Sequence, residues 1–174
     1  TVDSFIKGVV AGDFDNDGRP DIYASSRSGF NFLLHNDGPQ GADKSPKAPW
    51  RFTNIAKEAG VIYPRMSFPA ATFDFDNDGL LDILVTGYAL QGGVGDVAAT
   101  YLDKAYTSER AKFYRNKGDG TFADISKEVG LDRLVFAMAL NYGDLDNDGW
   151  LDFVAGTGDP DFSTVVPNLA FRNA

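Results

Sequence analysis

The sequence predicts an all-β chain built from repeated four-stranded antiparallel sheets, and three observations carry that expectation. The nonapeptide pattern Asp-x-Asp-x-Asp-Gly-x-x-Asp occurs three times, starting at Asp13, Asp74 and Asp144. Each copy follows a short apolar or small-residue run and precedes a strand-like one, so the repeat extends beyond the acidic loop. Further short strand-like runs follow, separated by turn signals such as Asp119-Gly120. Four short strands per unit of roughly 45 residues is the pattern of β-propeller blades.

The elements follow in a fixed order. The first strand of each unit is Gly8–Gly12, Pro69–Phe73 or Ala139–Gly143. The second begins at the last aspartate of the loop, at Asp21, Asp82 or Asp152. The third ends in asparagine: Phe32–Asn36, Phe113–Asn116, Ala170–Asn173. The fourth occurs twice, as Arg51–Gly60 and Thr121–Gly130, and reads as a short strand followed by one helical turn. Asn54 or Asp124 can cap that turn, and Gly60 or Gly130 can end it in the left-handed conformation. Two insertions lengthen the units: residues 39–49, and roughly Tyr88–Ala111, whose second half, Asp96–Arg110, is expected to be helical. The units span about 1–61, 62–131 and 132–174, the last lacking its fourth strand. Three incomplete blades do not close a ring. The expectation is therefore part of a larger propeller, or an open stack of blades covered by neighbouring chains. The chain begins at Thr1 rather than Met, which suits a processed or excised piece.

Composition narrows the partners. The net charge is −9, but the three loops hold twelve of the 25 acidic residues. The other 13 acids face 16 Lys+Arg, and no basic stripe recommends a nucleic-acid partner. With no cysteine there is no disulfide framework, thiolate site or cysteine nucleophile. No apolar run approaches the ~20 residues that a membrane-spanning helix needs.

Four carboxylates within nine residues repel one another, so a hard cation is expected among them. Calcium takes six to eight oxygen ligands and tolerates a flexible loop. The expected side-chain ligands at positions 1, 3 and 5 are Asp13, Asp15 and Asp17; Asp74, Asp76 and Asp78; and Asp144, Asp146 and Asp148. The backbone carbonyls of Arg19, Leu80 and Trp150 would serve at position 7, and Asp21, Asp82 and Asp152 at position 9. Glycine at position 6 permits the sharp turn, and Asn16, Asn77 and Asn147 at position 4 tolerate unusual backbone angles. Magnesium demands a stricter octahedron, and zinc favours His or Cys, which the loops lack. An EF-hand would place Glu at position 12, where this chain has Ala24, Val85 and Ala155. Three bound divalent ions would bring the net charge to about −3.

The stretches Ala11–Gly18 with Asp21, and Phe113–Ile125, make the chain resemble FG-GAP/VCBS repeats, the calcium-binding blades also seen in integrin α-subunit propellers. Within that group it is most similar to bacterial relatives of cartilage acidic protein that carry the ASPIC/UnbV domain. The resemblance implies a seven-bladed propeller on a secreted or surface protein, with one calcium ion per blade.

Little in the chain suits catalysis. The single histidine, His35, occupies the repeat position of Arg115 and Arg172 and is expected at the blade surface. Phe14, Phe75, Phe52 and Phe122 sit at matched positions and are expected to pack between blades, as are Trp50 and Trp150, for which stacking against a sugar is the alternative. Tyr101, Tyr106 and Arg110 are candidate contacts in the second insertion. The reading is a non-catalytic, calcium-stabilised module that binds a protein or glycan, copies of itself or further blades. The alternatives are part of a carbohydrate-acting enzyme whose active site lies elsewhere, and a repeating unit of an extracellular fibre or surface layer. Loops of this kind suit the high calcium outside cells, so a secreted, periplasmic or cell-surface location is expected.

Overall fold

The computed structural model describes residues 4–41, 48–88, 91–158 and 166–174. They form three antiparallel sheets in which each strand pairs with its sequence neighbour. The first sheet runs β1 (Ile6–Gly12), β2 (Asp21–Ser26), β3 (Phe32–Pro39) and β4 (Trp50–Asn54). The second runs β5 (Ser67–Phe73), β6 (Asp82–Gly87), β7 (Lys112–Asn116) and β8 (Phe122–Asp124). The third has β9 (Ala137–Gly143), β10 (Asp152–Thr157) and β11 (Leu169–Phe171). The registers correspond: Leu34, Tyr114 and Phe171 face Ile22, Ile83 and Phe153 in the neighbouring strand. This is the expected all-β architecture of successive propeller blades.

The core lies between sheets rather than within any one of them. Phe14, Tyr23, Leu33 and Val61 of the first unit pack with Ile83, Val85, Tyr114 and Phe122 of the second. Phe73, Leu84, Phe113 and Leu131 of the second pack with Phe153 of the third. A strand in the middle sheet is therefore covered on both faces. That is why β6 is buried along its whole length and reads Asp-Ile-Leu-Val-Thr-Gly instead of alternating polar and apolar residues. The edge strand β4 has no such cover and is mostly exposed.

The first strands of successive sheets lie side by side, and glycine permits it. A Cβ on Gly8 would sit 2.5 Å from the Phe68 carbonyl oxygen, and Ser25 donates its hydroxyl proton to that same oxygen. Behind this seam runs a buried polar thread. Asn31 donates to the Tyr23 hydroxyl and the Pro64 carbonyl, and accepts from the Ser67 hydroxyl and the Ser26 amide.

The fourth elements turn as expected. Asn54 accepts the Ala56 amide at the start of α1 (Ala56–Ala59), and Gly60 ends it at φ 82°. In the second unit Asp124 accepts the Ser126 amide and Gly130 has φ 71°, but the segment is a run of turns rather than a helix. Of the first insertion, residues 42–47 lie outside the described residues, and residue 39 already belongs to β3. In the second insertion the helix α2 spans Val94–Tyr101, starting earlier and stopping sooner than expected. Residues 104–110 leave the helical path because the amides of Thr107 and Ser108 donate to the Asp96 carboxylate.

Packing departs from expectation at three aromatic residues. Phe14 and Phe122 meet edge to face at 6.0 Å between the first two sheets, and Phe75 meets Phe113 at 5.0 Å. Phe52, however, is 40% exposed, because no sheet among the described residues stands before the first to cover it. Trp50 and Trp150 are likewise half exposed rather than packed between blades, the first on edge strand β4 and the second on a loop.

Candidate metal centres

Each aspartate loop joins the first two strands of its sheet, and its backbone folds the same way three times. Asn16, Asn77 and Asn147 take φ of 56°, 56° and 61°, and Gly18, Gly79 and Gly149 take 84°, 85° and 91°. Both left-handed positions are held by residues that tolerate them. The curl turns backbone amides toward the carboxylates. The position-1 aspartate accepts two of them: Asp13 from Asp17 and Gly18, Asp74 from Asp78 and Gly79, Asp144 from Asp148 and Gly149. The position-5 aspartate accepts the position-7 amide, in Asp17, Asp78 and Asp148 alike, at 2.8–3.0 Å.

The position-9 aspartates, at the start of β2, β6 and β10, are almost fully buried. One oxygen accepts the position-2 amide (Phe14, Phe75, Leu145), and the other accepts the amide of the asparagine that ends the third strand (Asn36, Asn116, Asn173). Each therefore ties three segments of its sheet together. Burial pushes the Asp82 carboxyl up to about 6, against the opposing pull of its Asn116 and Phe75 amide bonds. Partial burial and neighbouring carboxylates also raise Asp15 and Asp76.

Carboxylate oxygens converge in every loop. Within 4.8 Å of one another lie those of Asp13, Asp15 and Asp21; of Asp74, Asp76 and Asp78; and of Asp144, Asp146 and Asp152. In the second loop Oδ1 of Asp76 is buried and has no hydrogen-bond partner. A buried anionic oxygen without a donor is costly, and a hard cation is the natural group to satisfy it. The donor set is all oxygen in the second and third loops, which fits calcium or another hard divalent ion.

A basic side chain from the third strand reaches over each loop, a feature the sequence reading did not draw out. Arg115 lies 2.5 Å from Asp76 and 3.4 Å from Asp78. Arg172 lies 2.6 Å from Asp146 and 3.0 Å from Asp148. In the first loop this place is taken by His35, whose Nδ1 is 3.2 Å from Asp21 and 3.4 Å from Asp15, while Arg19 pairs with Asp17. His35 is thus half-buried beside the first loop, and it could offer nitrogen together with Asp15 and Asp17. The available signal was the shared position immediately before the strand-ending asparagine.

Those asparagines do a second job that sequence reasoning also missed. The amide of Asn116 donates to the Phe14 carbonyl in the preceding sheet's loop at 2.7 Å and to the Leu81 carbonyl at 3.1 Å. Asn173 repeats the reach, donating to the Phe75 carbonyl at 2.6 Å. At position 4, Asn16 donates to the Gly79 carbonyl and Asn77 to the Gly149 carbonyl. The three loops are therefore linked in series along one end of the stack.

Of the candidate contacts in the second insertion, Arg110 stacks on the Tyr106 ring and pairs with Asp132, and Tyr101 is exposed. No helix among the described residues is long and apolar enough to cross a membrane. No curated protein matches the chain. The sequence pattern of the FG-GAP-like repeat matches residues 13–85 and 93–155, which covers well over half the chain and all three loops. With that match over most of the chain, and with sheets and loops that repeat in the structure, this chain belongs to the FG-GAP-like repeat family.

Proposed function

We propose that the three loops bind calcium and that the chain is a calcium-clipped, non-catalytic module for binding, adhesion or assembly on a secreted or surface protein. The observation that carries the reading is the orphaned Oδ1 of Asp76 amid converging carboxylates. Asp74, Asp76 and Asp78, their counterparts in the other loops, and the carbonyls of Arg19, Leu80 and Trp150 are the proposed ligands. Asp21, Asp82 and Asp152 complete the sets, holding strand and loop together whichever of their oxygens the cation shares. The cation would neutralise the loop and fix the first two strands of each blade, which is a structural task. The partner of such a module is a protein or glycan met outside the cytosol, where calcium is abundant. The finer likeness to bacterial relatives of cartilage acidic protein belongs to this proposal as well.

Thermal unfolding with and without calcium, after chelation, tests it. A ligand held at a hundred times its dissociation constant adds about 2.7 kcal/mol per site. For a domain of this length that is a rise in Tm of roughly 5–10 °C for a single site. Terbium luminescence sensitised by Trp150 would report the third loop directly. A Tm indifferent to calcium, together with no terbium signal displaced by calcium, would overturn the reading.

A further inference from the structure

Arg19, Arg51, Arg110, Arg115 and Arg172 each pair with an aspartate. Among the described residues Arg27 and Arg65 pair with no carboxylate, yet each is held over an aromatic ring. The Arg27 guanidinium lies 4.7 Å from the centre of the Tyr88 ring, and that of Arg65 lies 4.6 Å from the centre of the Phe30 ring. Stacking of this kind fixes a guanidinium while leaving its N–H edges for other partners. Both arginines line one cavity of about 220 Å³, together with Ser28, Gln91 and Glu109. Arg27 and Ser28 come from the turn between β2 and β3, Arg65 from the connection between α1 and β5, and Gln91 and Glu109 from the second insertion. Strand direction alternates, so the cavity lies at the end of the sheets opposite the aspartate loops. The two sheets that it lies between each have all four strands.

Glu109 is the one acid in the wall, and its carboxylate accepts the backbone amide of Arg65. Two guanidinium groups against one carboxylate leave the wall with a single positive charge in excess. Each guanidinium offers a planar fork that matches two oxygens of an anion. The wall therefore suits a group with one negative charge, and Glu109 opposes a second. The cavity also has room for more than a bare oxyanion. Apart from Met66 its side chains are polar, so the rest of a ligand meets hydrogen-bonding groups such as the Ser28 hydroxyl and the Gln91 carboxamide. Hydroxyls on the ligand match such walls better than an apolar body does.

We propose that the cavity between Arg27 and Arg65 binds an acidic sugar through one singly charged oxyanion, a carboxylate or a sulfate ester. The two guanidinium groups take the oxyanion, and Ser28 and Gln91 meet the sugar hydroxyls. Glu109 holds the Arg65 backbone and disfavours doubly charged phosphate esters. The assignment rests on the reading of the chain as a binding module and names its ligand class; it does not involve the calcium loops.

Calorimetric and NMR titration of the calcium-loaded chain with glucuronate, glucose 6-sulfate and uncharged glucose tests it. Saturable binding of at least one acid is expected, with amide shifts at Ser28, Gly29 and Met66, and none with glucose. Preference for either acid supports the site and names its oxyanion. Arg27→Gln and Arg65→Gln, both at exposed positions, should each weaken that acid about tenfold or more, because each removes charge-assisted hydrogen bonds. Arg51→Gln, on edge strand β4, should leave binding unchanged, and Arg65→Lys should restore only part of it, since the charge returns without the fork. Glu109→Gln keeps an acceptor for the Arg65 amide and should tighten binding about two- to fivefold. Absence of saturable binding overturns the proposal, as does equal binding of glucose or tighter binding of glucose 6-phosphate by the unaltered chain. Tighter binding of an aspartate-bearing peptide than of either acid also overturns it, in favour of an acidic polypeptide. A chain whose Tm responds to calcium but which binds neither acid sinks the sugar site alone.

Discussion

The side-chain amide of Asn116 holds carbonyls from two different sheets, Phe14 and Leu81, while its oxygen accepts the Gly118 amide. Asn36 occupies the same position in the first sheet but donates only to Pro20 within its own loop. Replacing Asn116 with alanine therefore strands one buried and one partly buried carbonyl and should cost about 2–3 kcal/mol, whereas Asn36→Ala should cost about 1 kcal/mol. Urea unfolding of both variants measures the difference, and equal losses would remove the inter-sheet role assigned to Asn116. Gly8→Ala should cost about 1–3 kcal/mol, because the new methyl meets the Phe68 carbonyl and backbone cannot step aside. Gly143, where an added methyl would meet no atom within 4 Å, is the control; Gly143→Ala should change stability by less than about 0.5 kcal/mol. At this scale the sequence spoke plainly where chemistry is local. Asn at position 4 and Gly at position 6 announce a left-handed curl because few residues accept one. It matched His35 with Arg115 and Arg172 but not with the aspartates, because their charge matters only once β3, β7 and β11 lie beside the loops.

At the scale of the element, the strands were legible because three copies of each could be compared. The second insertion had no copy, and its helix was misjudged. Asp96 is the reason. Its Oδ2 accepts from the amides of Gly92, Thr107 and Ser108 and from the Thr107 and Ser108 hydroxyls, closing the insertion into a loop. Contacts between residues twelve apart along an irregular path leave no periodic trace. The hydrogen bonds, led by that from Ser108, lower the Asp96 carboxyl to about 2. An unfolded aspartate titrates near 3.9. The folded insertion thus has its full support above about pH 4 and loses it as the pH falls toward 2. The amide shifts of Thr107 and Ser108 should stay native at about pH 3 and move only near 2; a midpoint close to 4 would contradict this clip. In Asp96→Asn those amides should exchange with solvent faster at every pH, while β5–β7 keep their protection.

Across the whole molecule, burial resides in the seams, so each sheet is stabilised chiefly by its neighbours. The middle sheet has two covered faces, and the outer sheets have one each. Hydrogen exchange should therefore be slowest in β6 and faster in β2 and β10, and the gradient should flatten in Gly8→Ala. Uniform protection across the three sheets would argue against nearest-neighbour stabilisation. The all-β class and the order of strands were visible in the repeats, but the seams were only half visible. Matched phenylalanines pointed to packing between blades, yet Phe52 shows that a matched position is buried only when a sheet stands before it.

Asn116 and Asn173, which close the second and third units' third strands, reach backward to the preceding loop, and Asn16 and Asn77 reach forward to the next. The middle repeat thus carries both halves of its junctions. A second copy of that unit, inserted in tandem, would arrive with complementary asparagine contacts on either flank. Adding whole units in tandem would then leave these polar links intact at each new seam, with the apolar faces left as the part of the junction that has to match.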